Sequence, residues 1–281
     1  MIIDGTDIRT LGMFILRNGS NDFLPFPTRR EPDTNDWAEH DGLDVDLSEC
    51  TFEAKKVSVQ LYISAAAETL FKQRLTALET MHFAAGYRTV LVKEFGKTFQ
   101  LRFLGFSGYS HKGGLAKYGR KSGRLTVEYM MDDPVQYFTA PQPPKGGAVS
   151  ASHVLLDGAD LSGYGIIVKD IYSTSLQPRE AKPVLERTFR TINGITADTG
   201  AVPKKAAKQI TIDCVMTAGT LSDFYTNYNA LFGAVNKAGV LVLGTRNGNF
   251  NCYYRAMGGF TKHGTFGGKV RVSFQLIFQT L

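Results

Sequence analysis

The chain repeats itself. Asp4-Gly5-Thr6-Asp7-Ile8 returns as Asp157-Gly158-Ala159-Asp160-Leu161, 153 positions on. The same offset carries Val57–Ala65 onto Ile210–Ala218, Phe71, Leu75 and Leu78 onto Phe224, Tyr228 and Leu231, and Gly86 onto Gly239. Farther on it drifts. Phe99 and Gly108-Tyr109 meet Phe250 and Gly259-Phe260 at an offset of 151, and Gly123–Tyr129 matches Gly268–Phe274 at 145. That drift predicts six extra residues between Tyr109 and Gly123, in a surface loop, where insertions are best absorbed. Self-similarity over this length reads as two copies of one folding unit. We expect a first domain over 1–133, a linker over 134–152 and a second domain over 153–281. The linker is marked by Pro134, Pro141, Pro143, Pro144, Gly146 and Gly147, a stiff, extended stretch without hydrophobic period.

Patterning predicts the content of each copy. After the Asp-Gly opening, Met13–Leu16 and Ile166–Val168 read as buried strands. Long polar, proline-bearing stretches follow over 17–55 and 169–207. Asn193-Gly194, after the β-branched run Val184–Ile192, predicts a hairpin, so we expect long arms projecting from the core. Val57, Val59, Leu61 and Ile63 alternate as a half-buried strand does, and Ile210, Ile212, Cys214 and Met216 repeat them. Phe71, Leu75, Leu78 and His82 then lay one apolar stripe along a helix of about four turns, as do Phe224, Tyr228, Leu231 and Val235. Gly86 and Gly239 suit helix exits. Turns near Gly96 and Asn247-Gly248 join the last strands. The expected fold class is mainly β: a β-sandwich or partial barrel with one flanking α-helix, duplicated.

Composition narrows the function. At 43% hydrophobic and 21% charged, the chain is neither disordered nor collagen-like. A net charge of +6 is mild and spread out, and does not by itself argue for nucleic-acid binding. No apolar run reaches the length of a membrane-spanning helix, and the opening Met1–Gly5 lacks the regions of a secretory signal. Cys50, Cys214 and Cys252 are far apart and read as small hydrophobes made in a reducing compartment. His40, His82, His111, His153 and His263 form no metal-binding pattern. Asp44, Asp46 and Glu49 lack calcium-loop spacing. The glycine pairs lie between strands and not before helices, so they read as turns. Asp4, Asp7, Asp157 and Asp160 read as turn caps. We expect no enzyme activity, no cofactor and no metal.

The candidate assembly residues lie on the first arm and the inserted loop. Phe26 and Trp37 are aromatic anchors that either meet another subunit or fold back on their own core. Arg29-Arg30, and Lys204, Lys205 and Lys208 on the second arm, read either as solvated charge or as contacts with a neighbouring subunit. Lys117, Arg120 and Lys121 lie in the basic loop, which faces DNA in a channel, an acidic partner or only solvent.

The opening Asp-Gly-x-Asp-(Ile/Leu)-x-x-(Leu/Tyr)-Gly resembles the start of distal tail proteins of long-tailed phages. The order strand, long arm, strand, helix, strands is similar to the tail-tube fold, once per half. The resemblance implies a ring around a central channel, built by joining sheets edge to edge. It implies six copies, or three with pseudo-sixfold symmetry. The implied partners are the chain itself, the tail tube protein, a hub or tail-tip protein, the tape measure protein and DNA passing without sequence-specific binding. The implied place is the virion tail, assembled in the host cytoplasm. Two alternatives stand beside it: a trimeric baseplate hub or tube initiator, and a carbohydrate-binding β-sandwich protein.

Overall fold

Two Asp-Gly turns open two matching sheets. The structure, a computed structural model, describes residues 1–112, 119–139, 141–147, 149–184, 186–197, 200, 202–264 and 268–281. In the first half the strands are β1 (Ile2–Ile3), β2 (Thr6–Asp7), β3 (Met13–Ile15), β4 (Thr34–Asn35), β5 (Asp44–Val45) and β6 (Lys55–Ala65). Helix α1 (Glu68–His82) follows, then β7 (Arg88–Val92), β8 (Lys97–Lys112) and β9 (Lys121–Met131). The second half has β10 (Leu155–Leu156), β11 (Ala159–Asp160), β12 (Ile166–Asp170), the single turn α2 (Tyr172–Ser175), β13 (Glu186–Arg187) and β14 (Thr196–Ala197). It ends with β15 (Gln209–Ala218), α3 (Leu221–Val235), β16 (Leu241–Thr245), β17 (Gly248–Lys262) and β18 (Val270–Thr280).

Each half builds one seven-stranded antiparallel sheet. The orders are β2-β1-β7-β8-β9-β6-β3 and β11-β10-β16-β17-β18-β15-β12, which correspond strand for strand. The fold is mainly β, as the alternating runs predict. Within each half it is one sheet with a helix on it, and not two stacked sheets. Asp4-Gly5 and Asp157-Gly158 both take positive φ, the conformation a two-residue hairpin turn needs. The aspartates tie those turns down. Asp4 accepts from the Thr89 N–H at 2.7 Å and Asp157 from the Val242 N–H at 2.8 Å. Asp7 and Asp160 cap the short helical turns that follow, accepting from Arg9 and Ser162 backbone N–H groups.

The core lies between sheet and helix. Val57, Val59, Leu61, Ile63 and Ala65 of β6 are buried, and so are Leu125, Val127, Tyr129 and Met131 of β9. Each such aliphatic side chain contributes about 1.5–3 kcal/mol by leaving water. His82 closes the end of α1. Its Nδ1–H donates to the Leu78 carbonyl, and its Nε2 accepts from the Tyr129 hydroxyl, both at 2.7 Å. Burial holds this imidazole below its usual pKa, and hence neutral. The opposite face of the first sheet is largely polar, with Lys56, Ser58 and Gln60 on β6 and Arg124, Thr126 and Glu128 on β9 beside the half-buried Tyr62 and Met130. β3 and β12 lie at sheet edges and leave Phe14 and Ile167 exposed, so they are not the fully buried strands expected.

The register corrects one sequence match. Val57 faces Tyr129, whereas Ile210 faces Phe278. Gly123 therefore corresponds to Val272 and Tyr129 to Phe278, an offset of 149 and not 145. The loop between the last two strands is longer in the first half by two residues, not six. The misalignment is an even number of residues, and an even slip keeps every side chain on its face. Alternation alone cannot detect it.

Candidate functional site

The two sheets share no strand pairing, and the first arm spans the seam between the halves. After β3 the chain runs along β6, with the Leu16 N–H on the Gln60 carbonyl and the Gln60 N–H on the Gly19 carbonyl, both 2.9 Å. It then crosses to the second half. The Arg29 N–H donates to the Arg255 carbonyl on the free side of β17 at 2.9 Å. The Tyr228 hydroxyl donates to the Leu24 carbonyl at 2.8 Å, and the Tyr254 hydroxyl to the Pro27 carbonyl at 3.1 Å. Phe26 fills the aromatic pocket between them, its ring 4.5 Å from Tyr228 and 5.1 Å from Phe232 between centroids. Phe138, from the stretch expected as a linker, stacks on Phe232 at 3.9 Å. That stretch continues along α3, where Asn227 exchanges bonds with the Lys145 N–H and the Gly146 carbonyl, both 2.9 Å.

Polar groups lock the seam. Lys262 is buried, and its ammonium pairs with Glu94 at 2.7 Å across the halves. The Tyr225 hydroxyl donates to the Phe95 carbonyl at 2.8 Å. Lys97 lies 4.3 Å from the centre of the Tyr225 ring and donates to the Tyr137 carbonyl at 2.9 Å. Burial pulls its pKa down to about 8. Lys55 donates to the Pro25 carbonyl at 2.6 Å, and burial pulls its pKa to about 7, partly opposed by Asp22. The tips of the arms are joined by Lys182. Its buried ammonium donates to the Trp37 carbonyl at 2.8 Å and the Gly42 carbonyl at 2.5 Å, and pairs with Asp36 at 2.5 Å.

The sequence-predicted residues divide accordingly. Phe26 is buried inside the chain's own core, so of its two expected roles it serves the second. Arg29 is buried too. It donates to the Glu49 carbonyl at 2.6 Å and lies 5.4 Å over the Tyr253 ring, while its Nε and Nη1 have no hydrogen-bond partner among the described residues. Arg30 is exposed, and its N–H bonds the Thr51 carbonyl. Trp37 is 51% exposed. Lys117 lies outside the described residues. Arg120 is exposed, but Lys121 is buried as the first residue of β9. The base of the first arm does not project as expected: Phe26 is covered by α3 and β17, and Phe23 packs on Phe95 and Phe99 of the first half. The hairpins β4–β5 and β13–β14 do form.

Sequence reasoning missed Lys182, Lys262, Glu94 and the aromatic wall of α3. A signal for the wall was present. Lys72 and Glu79 of α1 correspond to Tyr225 and Phe232 of α3. Polar positions that turn aromatic in one copy mark a helix covered on a second side. Among the described residues, no three His, Cys, Asp or Glu side chains gather as a metal site, and no helix is long and apolar enough to cross a membrane.

No protein-family model matches the chain, and no curated protein matches it. Among solved structures, the chain is similar to phage SPP1 Dit (gp 19.1), described as a paradigm of the hub adsorption apparatus in phages infecting Gram-positive hosts. The likeness has 17% identity and a TM-score of 0.34, over 46% of this chain and 49% of that one. The chain thus spans about half the length of that protein. A likeness this slight shows neither family nor function.

Proposed function

We propose that this chain is a structural, non-catalytic component of a phage-type tail. It acts as a distal-tail or baseplate adaptor that closes with further copies into a ring around a channel, between the tail tube and the hub or tape-measure end. One observation carries the reading. Each half lays its helix on one face of a seven-stranded sheet, and in the first half the other face is largely polar and carries no second sheet among the described residues. A polar sheet face without a covering layer suits a water-filled channel wall, while the helix faces outward. The element order of each half is also that of the tail-tube fold which the sequence resembles. On this reading the neighbours are tube, hub and tape-measure proteins, DNA passes without being read, and two copies of the unit per chain fill two places.

Size-exclusion chromatography with light scattering, followed by particle imaging, tests the proposal. The expected result is a closed ring of three or six chains with an open centre. Three would mark the hub or tube-initiator variant and six the distal-tail variant. A single chain at every concentration, or a compact multimer without a channel, overturns it. Specific hits on a glycan array from a single-chain sample would establish the carbohydrate-binding alternative instead.

A further inference from the structure

The two halves are equivalent in every long strand, yet one edge is treated differently in each. In the second half, β16 pairs with β17 only from Gly248 to Cys252, which leaves the rest of that side of β17 for another segment. The first arm takes it, with Arg29 N–H on the Arg255 carbonyl and the Asn21 amide reaching the Phe260 carbonyl. Tyr253, Tyr254 and Met257 are buried there as a result. In the first half, β7 pairs with β8 only from Lys97 to Leu101. Beyond Leu101, nothing among the described residues pairs with that side of β8. Their counterparts in the first half are less covered: Arg102 is exposed, Phe103 and Phe106 are half-buried, and between and beyond them Leu104 is 40% exposed and Tyr109 53%. Phe83, beside Phe103 and Phe106, is also exposed.

The missing occupant is present in the sequence. The second arm has the build of the first. Thr28, Arg30, Thr51 and Glu53 make two backbone bonds around the Arg29–Phe52 bridge. Glu180, Lys182, Lys204 and Ala206 make the same two around the Ala181–Lys205 bridge. Ala181 therefore corresponds to Arg29. In such a bridge the central residue's own N–H points away from its partner strand. For Arg29 that N–H meets the Arg255 carbonyl. For Ala181 it is exposed and makes no bond within the described chain. Both Leu104 and Arg255 bulge out of register against the strand beyond, so the carbonyl equivalent to that of Arg255 belongs to Leu104. Leu24 on the first arm is 4% exposed, and its counterpart Leu176 on the second is 59%.

We propose that the second arm of one copy of this chain lies along the free side of β8 of another copy, with the Ala181 N–H donated to the Leu104 carbonyl. An unpaired strand edge and an unpaired arm are thus satisfied together, and Leu176 leaves water against the exposed apolar residues around β8. The contact is head-to-tail, so every copy offers one arm and one edge. Within the chain, half one already grips half two in this way; between chains, half two grips the next half one. Halves then succeed each other around one circle instead of stacking in two tiers. The closure of that circle rests on the ring reading above; the contact itself requires only self-association.

The test uses the full chain with Ala181→Cys and Leu104→Cys. A backbone bond between two residues brings their Cα atoms near the roughly 4.4–6.8 Å that a disulfide spans. Oxidation of the double variant is expected to give a ladder of covalent multimers. A mixture of the two single variants should give only a dimer, and each single variant alone nothing. Ala181→Pro removes the N–H while sparing the two arm bonds, and is expected to weaken association at least tenfold with the unfolding midpoint unchanged. Native multimers that show no cross-link and tolerate Ala181→Pro overturn this contact and leave the ring reading standing. Cross-linked open strings that never close leave the contact standing and overturn the ring. A chain that stays single throughout overturns both.

Discussion

Phe26 offers the sharpest measurement of how the halves are held. Its ring is buried and lies within 4.5–6.5 Å of four aromatic rings, those of Tyr228, Phe232, Phe138 and Tyr254. Truncating a buried phenylalanine to alanine costs about 3–5 kcal/mol in lost transfer energy and cavity. The upper half of that range is expected here, because the surrounding rings are large and rigid and cannot collapse into the gap. Pairs of such rings contribute roughly 0.5–1.5 kcal/mol beyond burial. Phe26→Ala should therefore destabilise the second half by about 4 kcal/mol, read from urea unfolding followed by circular dichroism and tyrosine fluorescence. A double-mutant cycle with Phe232→Ala should show a coupling of about 0.5–1.5 kcal/mol. Hydrogen exchange should quicken at Arg29, whose N–H is tied to Arg255. A loss under about 1 kcal/mol, or strictly additive mutations, would refute the picture of an arm anchored by this ring.

Other outcomes follow from the same geometry. Lys182→Met leaves the Trp37 and Gly42 carbonyls without their charged donor, a loss of roughly 1.5–3 kcal/mol per charged hydrogen bond at most; faster exchange and proteolysis at both arm tips should report it, and unchanged protection would count against the Lys182 clasp. Lys55 titrates near 10.5 when unfolded and near 7 when folded, so between those values the unfolded chain binds more protons and stability rises with pH. Lys55→Met should flatten that rise in a series of unfolding curves, and an unaltered slope would remove the buried lysine as its cause. Gly165 holds φ at +72° with a Cβ position 2.7 Å from the Thr217 carbonyl oxygen; Gly165→Ala should cost at least about 1–2 kcal/mol from the left-handed backbone alone, and a thermal midpoint equal to that of the parent would refute the close approach.

Much of this architecture was legible from residues alone. The period-two runs of β6 and β15, the stripe of α1 and α3 and the paired Asp-Gly turns follow from local chemistry: each strand or helix needs one apolar face, and a tight turn needs residues that accept positive φ. The repeat was legible because both copies meet the same requirements with similar side chains. Three features were decided only by the tertiary structure. The register of the last strands was one, since a slip by an even number of residues keeps the same face buried. The fate of Phe26 and Arg29 was another: an arm rich in proline and polar residues looks the same whether it reaches outward or lies across a neighbouring half. The last was the difference between β8 and β17, two strands of like pattern with unlike surroundings. Local sequence fixes which face of an element avoids water; which distant segment comes to cover a free edge depends on where the whole chain places its arms.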